Sequence, residues 1–430
     1  MAVEDKKLKI AFCIYRGNPY SGGQGVYTKY MTAALAARGH EVTVFSGPPY
    51  PDLDDRCELV EVQSLDVYRG GDSIKIPHLS EIHSLADLYE FALTLTGSFC
   101  EPKAFGLRLK KYLVPRLDEF DIIHDNQSLN STLTKIGKGR KPVVTAIHHP
   151  ITVDRRLDLE SAKGLVRRFG VWRWYGFVRS QVRAARSAQQ IITVSETSKQ
   201  DVASEMGAKL ENIEVVHVGV DTKIFHPIEG AVRHKFRIVT TSSADVVLKG
   251  LIYLAQAALI LKDDFPELEV KVLGTPRGDS EVHRFVAENG LDRIFDFVGR
   301  VTQEEMVELY SESTVAVVPS IYEGFSFPSI EAMACGVPLV ATYGGAIPEV
   351  VGVDGSCGLL VPTRDANALA GAIKRLFEDE DLRNLLSANG LERVFERYTW
   401  DRCAERVEQI YNRTLSDFYG RQSDFEVVGD

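Results

Sequence analysis

Two glutamates, Glu323 and Glu331, flank a short stretch whose residue types could bind a phosphorylated sugar. The stretch reads PSIYEGFSFPSIEAMACG. Pro328 suits the first turn of a helix and Gly336 suits the residue after its end, so we predict a helix over 328–335. Ionised carboxylates only accept hydrogen bonds, and their two oxygens match the vicinal hydroxyls of a sugar ring or a ribose. The pair therefore predicts recognition of a polyol.

The start of that predicted helix carries the backbone amides of Gly324, Phe325 and Ser326. Unpaired amide donors and the helix dipole favour a phosphate group there. We expect Glu331 in the first turn of the helix and Glu323 in the loop before it, so both carboxylates could border one phosphate site. Local physics leaves an alternative open, in which Glu331 only complements the helix dipole and Glu323 is solvated.

Repeated apolar runs must form the strands that position these residues. The runs alternate with helix-length segments, which predicts parallel sheets. The first series is LKIAFCIY (8–15), EVTVF (41–45), DIIH (121–124), PVVTAIH (142–148), QQIITVS (189–195) and IEVVHVGV (213–220). The second is FRIVTTSS (236–243), LEVKVLG (268–274), IFDFVG (294–299), TVAVVPS (314–320) and VPLVAT (337–342).

The chain of 430 residues is too long for one hydrophobic core. The strand pattern stops at VDTKIFHP (220–227), where a proline precedes a polar stretch, so we place the boundary near Phe225. The predicted fold class is α/β, with two Rossmann-like doubly wound parallel-sheet domains facing a cleft, at 1–225 and 226–400. Residues 401–430 are predicted to form a C-terminal helix that packs back on the first domain, with a loose tail. Ligands should bind at the carboxyl ends of the strands.

Composition excludes several classes of function. The net charge of −10 argues against broad nucleic-acid binding. No apolar run is long enough to span a bilayer, and the first residues do not resemble a signal peptide, so we expect a cytoplasmic protein. The six cysteines are scattered singly, which favours buried reduced thiols over disulfides or a zinc site. We find no metal-ligand spacing and expect no metal.

The spacing Glu323-Gly-Phe…Glu331 resembles the E-x7-E motif of the family 4 retaining glycosyltransferases, which have the two-domain GT-B fold. Other matching segments follow in the family's order along nearly the whole chain. They are Gly22-Gly23, RGHEV (38–42), VGVDTKIFHP (218–227), Lys249-Gly250, FVGRV (297–301) and GLLVP (358–362). The resemblance implies that 1–225 is the acceptor side and that 226–400 binds a nucleotide-sugar donor.

The resemblance also implies roles for individual residues. Glu323 would contact the donor sugar, Glu331 the ribose, and Lys249 the diphosphate. The amides of Gly324, Phe325 and Ser326 would hold sugar and phosphate, while Gly22 and Gly23 would approach the diphosphate from the first domain. His148 matches a histidine that faces the cleft in the family. Lys249 could instead be a surface lysine, the glycines could serve only a tight turn, and His149 could be the histidine that faces the cleft.

One position departs from the family pattern. Family members usually carry an arginine about five residues before the lysine, whereas this chain has Ala244. Arg277 or Arg300 could supply the missing positive charge. The family's chemistry implies a metal-independent transfer in which Lys249 and the helix amides stabilise the leaving diphosphate. We expect no cofactor, and a uridine diphosphate sugar as donor ahead of guanosine diphosphate mannose.

Three alternatives remain at this point. A dehydrogenase would need GxGxxG, which RGNPYSGGQG lacks, and an acidic residue after the second strand. A nucleotide-sugar epimerase or a phosphorylase could share the architecture, because a fold does not fix the chemistry. A non-catalytic nucleotide-sugar-binding protein is the third.

A basic and aromatic segment at 154–186 stands out in the predicted first domain. It contains nine Lys/Arg and three Asp/Glu, a net charge of +9 − 3 = +6. Arginines interleaved with tryptophans suit anionic lipid headgroups, and a second basic stretch lies at 103–116. Together they favour a lipid-linked or anionic acceptor and a peripheral position at the inner membrane face. The alternative is a helix whose aromatic residues are core and whose arginines line the cleft.

Overall fold

The computed structural model describes residues 7–18, 23–67, 76–241, 247–274 and 280–427. Gly22, Ala244 and Arg277, which the sequence analysis singled out, lie outside these ranges. The chain forms two compact units, and each is described by itself. Unit 1 comprises Met1–Val194, Ser198–Val216 and Cys403–Asp430, and unit 2 comprises Ser195–Thr197 and His217–Arg402.

Unit 1 is built on a seven-stranded parallel sheet in the order β3-β2-β1-β4-β5-β6-β7. Most of its strands are short buried apolar runs, as expected when helices cover both faces of a sheet. The strands are β1 (Lys9–Ile14), β2 (Glu41–Ser46), β3 (Glu58–Glu61), β4 (Ile122–Asn126), β5 (Val143–Ala146), β6 (Gln190–Thr193) and β7 (Ile213–Val215).

Helices connect the strands of unit 1. They are α1 (Gly23–Ala37), α2 (Leu85–Leu95), α3 (Glu101–Leu113), α4 (Ser131–Ile136), α5 (Ile151–Ser161), α6 (Leu165–Trp174), α7 (Val178–Ser187) and α8 (Glu196–Met206). The core under the sheet joins Phe45 of β2 and Ile123 of β4 to Leu109 of α3. The described part of unit 1 also contains four segments of 3₁₀ helix, at 79–81, 114–119, 175–177 and 210–212.

Unit 2 has a six-stranded parallel sheet in the order β10-β9-β8-β11-β12-β13. Its strands are β8 (His234–Thr241), β9 (Glu269–Leu273), β10 (Phe295–Gly299), β11 (Ser313–Val318), β12 (Leu339–Thr342) and β13 (Leu359–Val361). The core of unit 2 contains Val270, Val315 and Val340 of this sheet. They pack in one cluster with Leu254, which lies in the helix that follows β8. Both sheets confirm the predicted α/β class with two Rossmann-like units.

The helices of unit 2 end with a long C-terminal helix. They are α9 (Leu251–Leu261), α10 (Glu281–Glu288), α11 (Gln303–Ser311), α12 (Phe327–Ala334), α13 (Ile347–Val351), α14 (Ala366–Glu378), α15 (Glu380–Arg397) and α16 (Trp400–Val427). From Cys403 onward α16 belongs to unit 1. In that part of α16 the hydroxyl of Tyr411 lies 2.7 Å from Nδ1 of His124 in β4. Glu408 forms an ion pair with Arg38 at 2.7 Å.

The strand order in each sheet reverses once, between β1 and β4 in unit 1 and between β8 and β11 in unit 2. Connections leave such a pair of strands in opposite directions, so the loops at their carboxyl ends form a crevice. Several of the predicted site residues follow these strands. The topology therefore brings together residues that are far apart in sequence.

Candidate active site

A lysine and a glutamate meet at the carboxyl edge of the unit 2 sheet. Lys249 follows β8 and Glu323 follows β11, the neighbouring strand. Nζ of Lys249 donates to Oε1 of Glu323 at 2.7 Å, and the Ser320 hydroxyl donates to the same oxygen at 2.8 Å. These two predicted residues, 74 positions apart, form one partly buried ion pair.

The loop that carries Lys249 is fixed by its neighbour Gly250. Residues 247–249 form a 3₁₀ turn and α9 starts at Leu251, so Lys249 lies in the turn directly before the helix. Gly250 has φ +63°, and a Cβ there would lie 2.0 Å from the Pro319 carbonyl oxygen. The amide of Ile321 donates to the Leu248 carbonyl at 2.7 Å. Only glycine permits this close approach of the two loops.

A second glycine pair supports the loop of Glu323 and was not singled out from the sequence. A Cβ on Gly345 would lie 2.3 Å from the Glu323 carbonyl oxygen, and one on Gly344 would lie 2.3 Å from that of Ser320. The amide of Ala346 donates to the Glu323 carbonyl at 2.9 Å. Two adjacent glycines one residue after the buried strand β12 were the available signal.

Phe325 and Gly324 are held by contacts with other residues of unit 2. The Phe325 ring is buried against His217 and Tyr398, at centroid distances of 6.1 and 5.7 Å. Its contribution to a ligand site is therefore limited to its backbone, as the sequence analysis assumed. The Ser195 hydroxyl donates to the Gly324 carbonyl at 2.7 Å, which fixes the peptide next to Glu323.

Ser326 is the residue that starts α12, and its backbone is strained. Its φ of 110° is in the left-handed region, which a residue with a side chain rarely adopts. Its hydroxyl is buried at 2.7 Å from the Ser329 hydroxyl and does not cap the helix. Strain of this kind clusters at ligand sites. Together with the helix N-terminus it is consistent with a phosphate site at the backbone.

Glu331 does not lie where the sequence placed it. The predicted helix 328–335 is observed as Phe327–Ala334, one residue earlier, and its first turn contains no acidic residue. Glu331 therefore lies beyond the first turn, where the helix dipole stabilises a carboxylate less. Burial raises the pKa of Glu331 to about 7, while the nearby Lys249 ammonium acts to lower it. Compensation of the helix dipole does not explain this glutamate.

In unit 1, His148 lies two residues beyond β5 and is held by Asn126, the last residue of β4. Nε2 of His148 is 2.6 Å from Oδ1 of Asn126. The Asn126 amide nitrogen donates to the Gln24 carbonyl at 3.2 Å, which fixes the orientation of the amide. Oδ1 must then be the acceptor, so Nε2 of His148 carries the proton and Nδ1 is left as the acceptor nitrogen.

The surroundings of His148 keep the imidazole neutral. Burial lowers the pKa of His148 to about 4, and the ring packs edge-on against Tyr27 at a centroid distance of 4.4 Å. The neighbouring His149 instead lies 3.1 Å from the carboxylate of Asp154. Of the two histidines, His148 is therefore the one held at the carboxyl edge of the sheet, and Asn126 is a positioning residue that the sequence analysis missed.

The remaining predicted residues are placed as follows. Gly23 is the first residue of α1 and is exposed. The glycine under the tightest constraint is Gly25, where a Cβ would lie 1.7 Å from the Asn18 carbonyl oxygen. Arg300 follows β10 and is exposed. Gly22 and Arg277 lie outside the described residues. Within the described ranges, no group of three or more His, Cys, Asp or Glu side chains could hold a metal ion.

Comparison with known proteins identifies the class. The family model for glycosyl transferases group 1 matches residues 224–393, and that for glycosyltransferase family 4 matches residues 21–224. Two parallel-sheet units and these matches define a glycosyltransferase with the GT-B fold. The chain belongs to the family 4 glycosyltransferases.

Individual relatives agree with this assignment. The chain is 41% identical to an MMP alpha-(1->4)-mannosyltransferase of Mycolicibacterium hassiacum, over 95% of this chain and 99% of that protein. It is 25% identical to a D-inositol 3-phosphate glycosyltransferase of a Nocardioides species, over 93% and 87%. The structure resembles a sucrose-phosphate synthase of Thermosynechococcus elongatus with a TM-score of 0.71, at 24% identity, over 96% and 100%.

These findings decide between the alternatives that the sequence left open. The chain is an enzyme of the glycosyltransferase class. The three alternative hypotheses are therefore wrong: a dehydrogenase, an epimerase or phosphorylase, and a non-catalytic binding protein. The assigned class also explains the absence of GxGxxG after β1.

We predict that His148 stays neutral down to about pH 5 because burial lowers its pKa to about 4. Replacing Asn126 by Asp places a carboxylate beside Nε2 and should raise the pKa of His148 by at least about one unit. Histidine NMR titration measures both values, with the signal of His149 as the internal control. A native His148 that titrates near its ordinary value of about 6.5 contradicts the prediction.

Proposed function

We propose that this enzyme transfers a sugar from a nucleoside diphosphate sugar to an acceptor hydroxyl, with retention of the anomeric configuration and without a metal ion. The observation that carries the proposal is the Lys249–Glu323 ion pair beside the N-terminus of α12. Unit 2 thus brings together a lysine that can bind a diphosphate, a carboxylate that can accept from sugar hydroxyls, and backbone amides that can bind a phosphate. Glu331 lies close enough to Lys249 for the ammonium to lower the pKa of the Glu331 carboxyl.

The ion pair gives the donor a defined way to bind. A diphosphate carries more negative charge than one carboxylate and competes for the Lys249 ammonium. The Glu323 oxygen released from Lys249 is then available to accept from the sugar hydroxyls, while Ser320 still orients it. As the bond to the sugar breaks, negative charge grows on the leaving diphosphate. Lys249 and the amides at the start of α12 stabilise that charge without reorganisation.

Retention follows from attack on the face that the diphosphate leaves. A diphosphate oxygen then takes the proton of the acceptor hydroxyl, so no separate protein base is required. Neutral His148 offers a hydrogen bond to a sugar hydroxyl without adding charge. Its Nδ1 is the nitrogen that would accept, because Asn126 occupies Nε2.

Mannose is the sugar that we propose is transferred. The relative at 41% identity, aligned over nearly the full length of both chains, is named a mannosyltransferase that forms an alpha-(1->4) bond. This favours guanosine diphosphate mannose over the uridine diphosphate sugar that was the first expectation from the sequence. It also favours a 4-hydroxyl of a saccharide as acceptor, while an anionic or lipid-linked form of that acceptor stays a prediction.

Substitution tests the ion pair directly. Lys249→Ala should lower kcat about 100-fold or more, the scale for removing one stabiliser of transition-state charge. Glu323→Gln should fold normally and also lose most of its activity. Lys271→Ala is the matched control, because Lys271 makes a comparable 2.8 Å ion pair with Asp296 elsewhere in unit 2. Folded variants with native kinetics would remove the central claim.

The pH dependence of nucleotide binding tests Glu331. Its pKa of about 7 means that the carboxylate is protonated below neutral pH and ionised above it. The ionised form accepts from both ribose hydroxyls more strongly, because both its oxygens are charged acceptors, whereas the protonated form turns one of them into a donor. Affinity for the nucleoside diphosphate should therefore rise between pH 6 and pH 8 in calorimetric titrations. Glu331→Gln should flatten this rise, and the exposed Glu378→Gln should not. A rise that persists unchanged in Glu331→Gln would assign it to another group.

Thermal unfolding identifies the donor. A ligand of the native state at 100 times its dissociation constant adds about 2.7 kcal/mol, which raises Tm by several degrees. We expect guanosine diphosphate mannose to give the largest shift among nucleoside diphosphate sugars. A larger shift with uridine diphosphate glucose would overturn the choice of donor but leave the site intact.

A further inference from the structure

Helix α6 of unit 1 presents an apolar ridge to solvent. None of its ten residues is buried. Leu165, Phe169 and Trp172 are 86%, 64% and 49% exposed, and Val166 is 88% exposed. Because a helix advances about 100° per residue, the first three lie on one stripe and Val166 lies at its edge. An exposed, contiguous apolar stripe of this kind marks an interaction surface.

Only cations surround this ridge in the local sequence. Between Lys163 and Arg179 the charged residues are Lys163, Arg167, Arg168, Arg173 and Arg179, with no Asp or Glu. The Arg179 guanidinium lies 5.5 Å from the centre of the Trp172 ring. This local charge of +5 contrasts with −10 for the whole chain. The surface therefore fits an anionic partner.

Helix α2 also exposes apolar side chains. Its Leu85, Leu88 and Leu95 are exposed. The end of α2 is joined to the end of α6, because Arg173 donates to the Thr96 hydroxyl and the amide of Phe99 donates to the Trp174 carbonyl at 3.2 Å. The C-terminal ends of the two helices therefore lie next to each other in unit 1.

The aromatic residues of α6 and of the turn at 175–177 that follows it form two groups. Trp174 and Phe177 pack against Phe99, at centroid distances of 5.5 and 5.1 Å, and anchor the segment. Phe169 and Trp172 stack on each other at 5.9 Å and remain exposed. The alternative of an ordinary core helix holds for the first group only.

We propose that the surface formed by α6 and the exposed leucines of α2 docks on an anionic lipid bilayer, with α6 lying along the interface. Apolar side chains would enter the headgroup boundary, and the flanking arginines would contact lipid phosphates. A bilayer is favoured over a protein partner because the exposed apolar residues of α6 alternate with arginines and no Asp or Glu lies between Lys163 and Arg179. Within the described residues, no helix has the length and apolarity needed to cross a membrane, so docking would be peripheral. The proposal does not depend on the donor site.

Vesicle co-sedimentation tests the two components of the surface separately. The probes are vesicles of phosphatidylglycerol with phosphatidylcholine and vesicles of phosphatidylcholine alone. The native chain should bind the first at low salt, and high salt should weaken that binding. Arg167→Glu with Arg168→Glu should reduce binding about 25-fold or more, since each cation near such a surface contributes about fivefold. Phe169→Ser with Trp172→Ser should reduce binding on both kinds of vesicle.

The matched control is Leu385→Ser with Phe395→Ser, which removes two comparably exposed apolar side chains from α15 of unit 2. It should bind vesicles like the native chain. Sugar transfer to a water-soluble acceptor should be unchanged in the α6 variants, which separates this proposal from the proposed reaction. A native chain that stays in the supernatant with anionic vesicles would overturn the proposal. Light scattering that shows self-association lost in the α6 variants would assign the ridge to a second copy of the chain instead.

Discussion

The ion pair between Lys249 and Glu323 joins two loops at the carboxyl edge of the unit 2 sheet, and the proposed donor site depends on it. It exists because β8 and β11 are neighbours in the sheet although they are distant in sequence. Gly250 and Gly345 then allow the loops after the strands to approach within backbone contact. A side chain at either glycine would separate the loops, so the pair is a product of topology and backbone freedom together.

The same construction appears in unit 1 with uncharged partners. Asn126 ends β4 and His148 follows β5, the neighbouring strand, so the carboxyl edge again joins two loops. Here the amide of Asn126 selects one tautomer of the imidazole, whereas in unit 2 Ser320 orients a carboxylate. In each unit a side chain of the candidate site is therefore held by a polar neighbour, which would reduce the entropy lost if a ligand bound there.

Burial shifts the pKa of Glu331 in unit 2 and of His148 in unit 1. It raises the pKa of Glu331 to about 7 and lowers that of His148 to about 4, so both environments favour the uncharged form. Lys249 opposes the effect on Glu331. Low-dielectric surroundings would also strengthen the proposed interaction of Lys249 with a diphosphate. An enzyme that stabilises a leaving anion gains from a site with few competing charges.

The sequence by itself determined the fold class, because the apolar runs of nearly all strands have the length and spacing of buried parallel strands. It missed β3 and β13, whose short runs ELVE and LLV are half-buried at sheet edges and carry little periodicity. It singled out Glu323 and Glu331 through their residue type and spacing, and Lys249 through a family pattern. Only the tertiary structure paired Lys249 with Glu323 and Asn126 with His148, because strand order is set by packing across the sheet and not by neighbouring residues. Likewise, a hydrophobic pattern gives α6 its apolar stripe, but only packing decides that the stripe stays exposed.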